Sequence, residues 1–256
     1  MKKVLGTVTV LALSVSLLAG CGSTAVSPVS STASTAAEST TSSVVSETTS
    51  AAADENAAAA AQLLNDLTGS YQELWPVILA DEYQQTWLDD CTALVGEENA
   101  EAAFEKLSSM VTGDVYGEDA VEAYANGGGA YFCGFTNSLA ILTFDGETST
   151  ISGTDKDGNV LFSHTYHYIG MEPVRGLYEF QSDDADSGEF TYFFLAPDTS
   201  AETYHIEFRY GSDAEALSQY DAGEYAYWVA SGISTDCDQT MIDNCIELFC
   251  TENLAG

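Results

Sequence analysis

After Gly127-Gly128-Gly129 the chain begins to alternate like strand, and it does so for some eighty residues. Runs at 130–136, 138–144, 149–154, 159–168, 177–181, 190–195 and 203–210 are rich in aromatic and β-branched residues, with Asp145-Gly146 and Asp157-Gly158 as tight-turn signals between them. Seven short antiparallel strands at this spacing predict a small barrel or sandwich. In the last run Tyr204, Ile206, Phe208 and Tyr210 alternate with Thr203, His205, Glu207 and Arg209. A period of two sends the first set to one face and the second to the other. His205 and Glu207 therefore point the same way, about 7 Å apart along the strand. Nowhere else does strand geometry pair an imidazole with a carboxylate.

Helical segments flank the strands. Residues 57–67 are rich in Ala and Leu, and 70–79 carries Tyr71, Leu74, Trp75 and Ile78 at helical spacing, with Pro76 forcing a kink or a new turn. Helices are predicted at 82–94 and at 97–110, the latter with Ala100, Ala103, Phe104 and Leu107 on one face, and a short one within 113–124. Beyond the strands, helix returns at 213–220 and 235–250, with Ser234 or Thr235 as the expected N-cap of the last. The fold class is α+β, mainly β: an antiparallel barrel or sandwich between N- and C-terminal helices.

The chain opens differently. Lys2 and Lys3 precede an apolar run at 4–19, and Leu18-Ala19-Gly20-Cys21 resembles the lipobox of bacterial lipoproteins. Thr7, Thr9, Ser14 and Ser16 interrupt the run, and a membrane span needs ~20 apolar residues. The resemblance implies a signal peptide over residues 1–20, cleavage before Cys21, and a lipid on Cys21 anchoring the protein to the extracytoplasmic face of the cell membrane. Residues 21–60 are Ser, Thr, Ala and Val with almost no aromatics, a composition that buries too little to order itself and reads as a tether, turning helical near 51–61. Residues 61–256 suffice for one domain with its own core.

The formal net charge is −34, from 40 acidic and 6 basic residues. From residue 61 onward the only basic side chains are Lys106, Lys156, Arg175 and Arg209. A surface this acidic repels phosphate backbones, which excludes nucleic acid as a partner, and it keeps the protein soluble while drawing cations toward it. Beyond Cys21 there are five cysteines, Cys91, Cys133, Cys237, Cys245 and Cys250, an odd number with no C-x-x-C pair. This weakens both zinc-finger and thioredoxin-like readings.

Several local patterns imitate sites. Asp155-Lys156-Asp157-Gly158-Asn159 begins like a calcium loop, but Tyr166 stands at its twelfth position, so a hairpin turn is expected. The triple glycine lacks the Lys-Ser/Thr of a phosphate loop, and neither a nucleophile elbow nor a His-Glu-x-x-His helix is present. With three histidines in all, His164, His167 and His205, acid–base and nucleophile constellations have few places to form, and no enzyme activity is expected.

The order of helices, barrel strands and helices, together with Leu67-Thr68-Gly69-Ser70-Tyr71-Gln72-Glu73-Leu74-Trp75-Pro76, Val174-Arg175-Gly176-Leu177-Tyr178-Glu179-Phe180 and the segments 193–197 and 205–211, resembles the ZinT (YodA) family of periplasmic zinc-binding proteins with a calycin-like barrel. The resemblance implies a calycin domain over 61–256 and a role in divalent-metal binding, zinc first, for acquisition or buffering alongside a metal-transport system. The family's three zinc-binding histidines do not all carry over. Phe193 stands where the first belongs, and the His-x-His pair becomes His205-Ile206-Glu207. His205 and Glu207 are thus the candidate metal ligands, with His167 or His164 as the third. His164 and His167 are three apart, which puts them on opposite faces of a strand. The plain alternative is that Glu207 pairs with Arg209, whose charge opposes a cation, and that His205 is an ordinary polar barrel residue. A different function is also consistent with the fold: calycin barrels hold small apolar ligands, and Phe193 would make such a pocket more apolar. A purely structural domain is the third reading.

Overall fold

The computed structural model describes residues 44–197 and 205–255. Cys21, the apolar run before it and the first part of the tether lie outside the described residues.

Eight antiparallel strands close into a barrel in simple chain order: β1 (Gly69–Glu73), β2 (Ile141–Asp145), β3 (Thr150–Thr154), β4 (Val160–Met171), β5 (Tyr178–Ser182), β6 (Tyr192–Leu195), β7 (His205–Gly211) and β8 (Ala230–Ser234). Closure comes from β8 pairing with β1, with Tyr71 opposite Ser234 and Glu73 opposite Gly232. The expectation of a mainly-β, calycin-like barrel between helices holds.

The strand list differs from the predicted one at both ends of the barrel. Residues 70–79 were expected to be helical throughout; the first half is β1, and only Leu74–Ile78 is helix α2. Tyr71 is the one apolar side chain in β1, so its alternation is too short to read. β8 was missed because it reads Ala-Ser-Gly-Ile-Ser, nearly bare of strand-forming side chains. That bareness has a cause: a Cβ on Gly232 would stand 3.1 Å from the Ile206 side chain inside the barrel. The expected strand at 130–136 is not a barrel strand. Phe132 instead bridges to Thr112 and, in parallel, to Trp228, so the segment runs alongside the chain entering β8.

The remaining helices are α1 (Val44–Asp66), α3 (Gln84–Val95), α4 (Ala100–Val111), α5 (Glu118–Ala125), α6 (Ala214–Leu217) and α7 (Gln239–Leu254). The side chain of Asp238, not of Ser234 or Thr235, caps α7 by accepting the Met241 N–H at 3.0 Å. The 155–159 segment is a hairpin turn, with Asp155 accepting backbone N–H groups from Asp157 and Asn159 at 2.9 and 2.8 Å. Among the described residues no helix is long and apolar enough to cross a membrane.

Two apolar cores result. One fills the barrel, where Phe193, Phe180, Phe162, Phe208 and Tyr210 meet, with Leu63 and Leu64 from the end of α1, and Leu67 just after it, joining them. The other lies outside the barrel wall, between α2, α3, α4 and α7, and it reaches the wall at Cys133 and Ile233. The site described next sits on that outer wall.

Candidate functional site on the outer barrel wall

The alternation of β7 is obeyed residue by residue. Ile206, Phe208 and Tyr210 are buried inward, and Phe193 on β6 lies opposite Tyr210 with ring centroids 5.4 Å apart. Phe193 also meets Phe162, Tyr166 and Phe208, and none of its surface is exposed. Aromatic rings therefore pack directly against Phe193, at the place where an apolar pocket was expected. Small barrels are filled by their own side chains, and this one is filled with aromatics.

His205, Glu207 and Arg209 face the other way, out of the barrel. In register, His205 lies opposite Ile233 and Glu207 opposite Ser231. The barrel wall therefore separates Phe193 from the His205–Glu207 pair, and the three positions do not share a face. His164 and His167 are on β4, between β3 and β5, away from β7 and its neighbours β6 and β8. As predicted, they take opposite faces. His164 is half-buried beside the Phe162 ring, with Nδ1 2.7 Å from Asp184 Oδ2; His167 is exposed, with Nδ1 2.6 Å from Asp183 Oδ1. Neither stands as a third ligand beside His205: among the described residues no three His, Cys, Asp or Glu side chains are grouped to hold a metal ion.

Arg209 does something the sequence does not announce. It is fully buried, and its two Nη groups donate to the backbone carbonyls of Leu217, Gln219 and Tyr225. Its guanidinium lies 4.4 Å from the Tyr220 ring centroid, and Arg175 covers the same ring at 4.0 Å. The Tyr220 hydroxyl donates to Glu172 Oε2 at 3.3 Å, and Glu172 also accepts the N–H groups of Val174 and Arg175 at 2.7 and 2.6 Å. Burial brings Arg209 down to about 10. Burial also pushes Tyr220 up to about 12, reinforced by Glu172 and opposed by the two arginines. Arg209 is thus a fastener for the connection between β7 and β8, and its charge is directed under that connection.

Beside this stack the outer wall hollows into a cavity of about 350 Å³. Trp75, Tyr124, Tyr131, Tyr227 and Phe249 form its aromatic walls. Three of these make a box: Tyr124 and Tyr227 stack at 3.7 Å, and Tyr131 meets both edge-on, at 6.0 and 5.7 Å. The charged lining is Glu207 and Arg175, and Arg175 Nη2 donates to the Tyr131 hydroxyl at 3.3 Å. Ser231 and Cys133 complete the floor, where the Ser231 N–H donates to the Cys133 carbonyl at 3.0 Å. Burial pushes the Cys133 thiol up to about 12, with Glu207 adding to the shift and Ser231 and Trp75 opposing it. The Trp75 indole N–H is buried and meets no oxygen or nitrogen acceptor; the Cys133 sulfur is the polarisable group beside it. The box is apolar apart from one carboxylate and one guanidinium, and its volume lies in the range typical of small-molecule sites.

No family model matches the chain, and no curated protein matches it. Among solved structures, the chain is similar to the Zn(II)-bound ZinT-like domain of Streptococcus pneumoniae AdcA, at 15% identity and a TM-score of 0.46, covering 72% of this chain and 89% of that one. It is also similar to Zn(II)-bound AdcA from Streptococcus pneumoniae, at 14% identity and a TM-score of 0.43, over 73% of this chain and 35% of that one. Glu207 was singled out from sequence for its spacing to His205. The rest of the cavity was not, because Trp75, Cys133, Arg175, Tyr227 and Phe249 are scattered over the chain and share no motif.

Proposed function

We propose that this protein is a lipid-anchored binding protein of the extracytoplasmic face, which holds a small amphipathic ligand in the cavity on the outer wall of β7 and β8. The observation that carries this reading is the aromatic cavity with Glu207 and Arg175 in its lining, set outside a barrel whose interior has been filled with rings. The ligand's apolar body would lie against Trp75 and the tyrosine box, while Glu207 and Arg175 select a polar end. The anchor rests on the lipobox-like Leu18-Ala19-Gly20-Cys21, with Cys21 as the acylated residue and the Ser/Thr/Ala-rich stretch that follows as the tether. The test is saturable binding of an apolar fluorescent probe to the full chain. One site of micromolar affinity is expected, weakened at least tenfold by Val229→Trp, which fills the cavity, or by Tyr131→Ala, which opens its box. Binding that neither substitution changes would retire the cavity as the site.

A second reading keeps the metal. His205 and Glu207 share the outer face of β7, and Arg209, the cation expected to oppose a metal there, has its guanidinium held under residues 217–225. Two protein ligands of zinc-compatible type would make an exchangeable site suited to buffering or hand-over to a transport system. The site lacks the third histidine of the family resemblance, so this reading stands second. Calorimetric titration with zinc decides it. Micromolar binding abolished by His205→Ala supports a site on β7, and a zinc signal indifferent to that substitution removes it.

A further inference from the structure

Cys91 on α3 and Cys250 on α7 are 159 residues apart in sequence, and their Sγ atoms lie 4.0 Å apart. Both side chains are fully buried in the outer core, where Phe249 packs edge-on against Trp75 and Trp87. Helix α7 packs on α3 along this seam, so the two cysteines already occupy facing positions on neighbouring elements. A disulfide needs sulfurs about 2 Å apart, and side-chain rotation is the natural way to close the remaining gap. We propose that these two cysteines are a modification site: they form a disulfide that staples the C-terminal helix to the helical layer.

The inference rests in part on the extracytoplasmic placement proposed above, where disulfides persist. Chemically, a Cys91 thiolate attacks the disulfide of a thiol–disulfide oxidant, forming a mixed disulfide and releasing one oxidant thiolate. The Cys250 thiolate then attacks the Cys91 sulfur and displaces the second. The Cys91–Cys250 bond takes the place of the oxidant's S–S bond. The two electrons go to the oxidant's sulfurs, and the two protons the cysteines gave up leave those sulfurs as thiols. Once the helices dock, burial holds both thiols above their ordinary range, so exchange belongs to the folding chain, before the seam seals.

The test uses the full chain, purified without reductant and, separately, refolded from denaturant in mixed reduced and oxidised glutathione. Alkylation in denaturant, followed by digestion at acidic residues, should leave Cys91 and Cys250 unlabelled and joined in one reducible peptide. Reduction should lower Tm by about 10 °C. Cys91→Ser should abolish both the linked peptide and the Tm difference, and Cys250→Ala serves where that variant fails to fold. The reduced and oxidised wild type can be compared with no variant at all. Full labelling of both cysteines after oxidative refolding, or a link from either to another cysteine, overturns the proposal. A chain that is reduced as purified yet links these two on refolding supports the pairing and counts against the extracytoplasmic placement.

Discussion

On the inner side of β7, Ile206, Phe208 and Tyr210 join a continuous stack of rings in which every member touches others of its kind. On the outer side, His205, Glu207 and Arg209 meet a different world: a cavity, a buried guanidinium, and backbone carbonyls arriving from another segment. The same seven residues build both. The inner face is interchangeable in chemistry and unforgiving in volume, because packing alone decides what fits. The outer face holds the polar groups that act one at a time. Among the described residues, the cavity with charged lining lies on the wall, on the side away from the ring stack.

Alkali should break the contrast with the largest effect. Tyr71, Tyr220 and Tyr225 are raised to about 12 by burial, while inner-face Tyr166 and Tyr210 are pushed further still. A folded pKa above the unfolded value means that the proton is held by the native state. That contribution is whole below pH ~10 and is lost as pH climbs through the folded values. Arg209, lowered to about 10, works in the opposite direction and gains stability across the same window, but it is one group against several. Cooperative loss of near-UV circular dichroism, together with tyrosinate absorbance, is expected between pH ~10 and ~12. Inner tyrosines that titrate near pH ~10 with the fold intact would contradict the filled interior.

Phe193→His comes next. It restores a histidine at the position the family resemblance assigns to a ligand, yet places it inside the ring stack. Denaturant titration should show a loss of about 3–5 kcal/mol, and zinc affinity should not rise. A zinc site created by this change would show that the wall does not separate the two faces. Arg209→Met is smaller: it keeps the bulk and removes donors from three carbonyls, for an expected cost of about 3 kcal/mol in chemical denaturation. Glu207→Gln should alter stability by less than about 0.5 kcal/mol while changing probe or zinc affinity. A large stability loss there would mark Glu207 as a packing residue.

The legible part of this molecule was the part that repeats. Alternation gave six of the eight barrel strands, β2 to β7, and put His205 and Glu207 on one side of β7 and His164 and His167 on opposite sides of β4. It failed where a strand carries little side chain, as in β8, or changes to helix after five residues, as β1 does at Leu74. The role of Arg209 was misread from its neighbourhood. Adjacency on the strand suggested a pair with Glu207, whereas its Nη donors go to residues eight to sixteen positions away. The cavity was invisible for a related reason: its walls come from α2, α4, α5, α7, β7, β8 and three loops, and only the closed fold assembles them.

The Arg209 contacts have a consequence for how this protein can change. Its acceptors at Leu217, Gln219 and Tyr225 are peptide oxygens, and every amino acid carries one. The connection from β7 to β8 can therefore exchange many of its side chains without losing the fastener, so long as the chain keeps its path. Freedom of that kind stops at Leu217, Tyr220 and Tyr225, whose side chains are themselves buried, so variation should collect at the exposed positions between them.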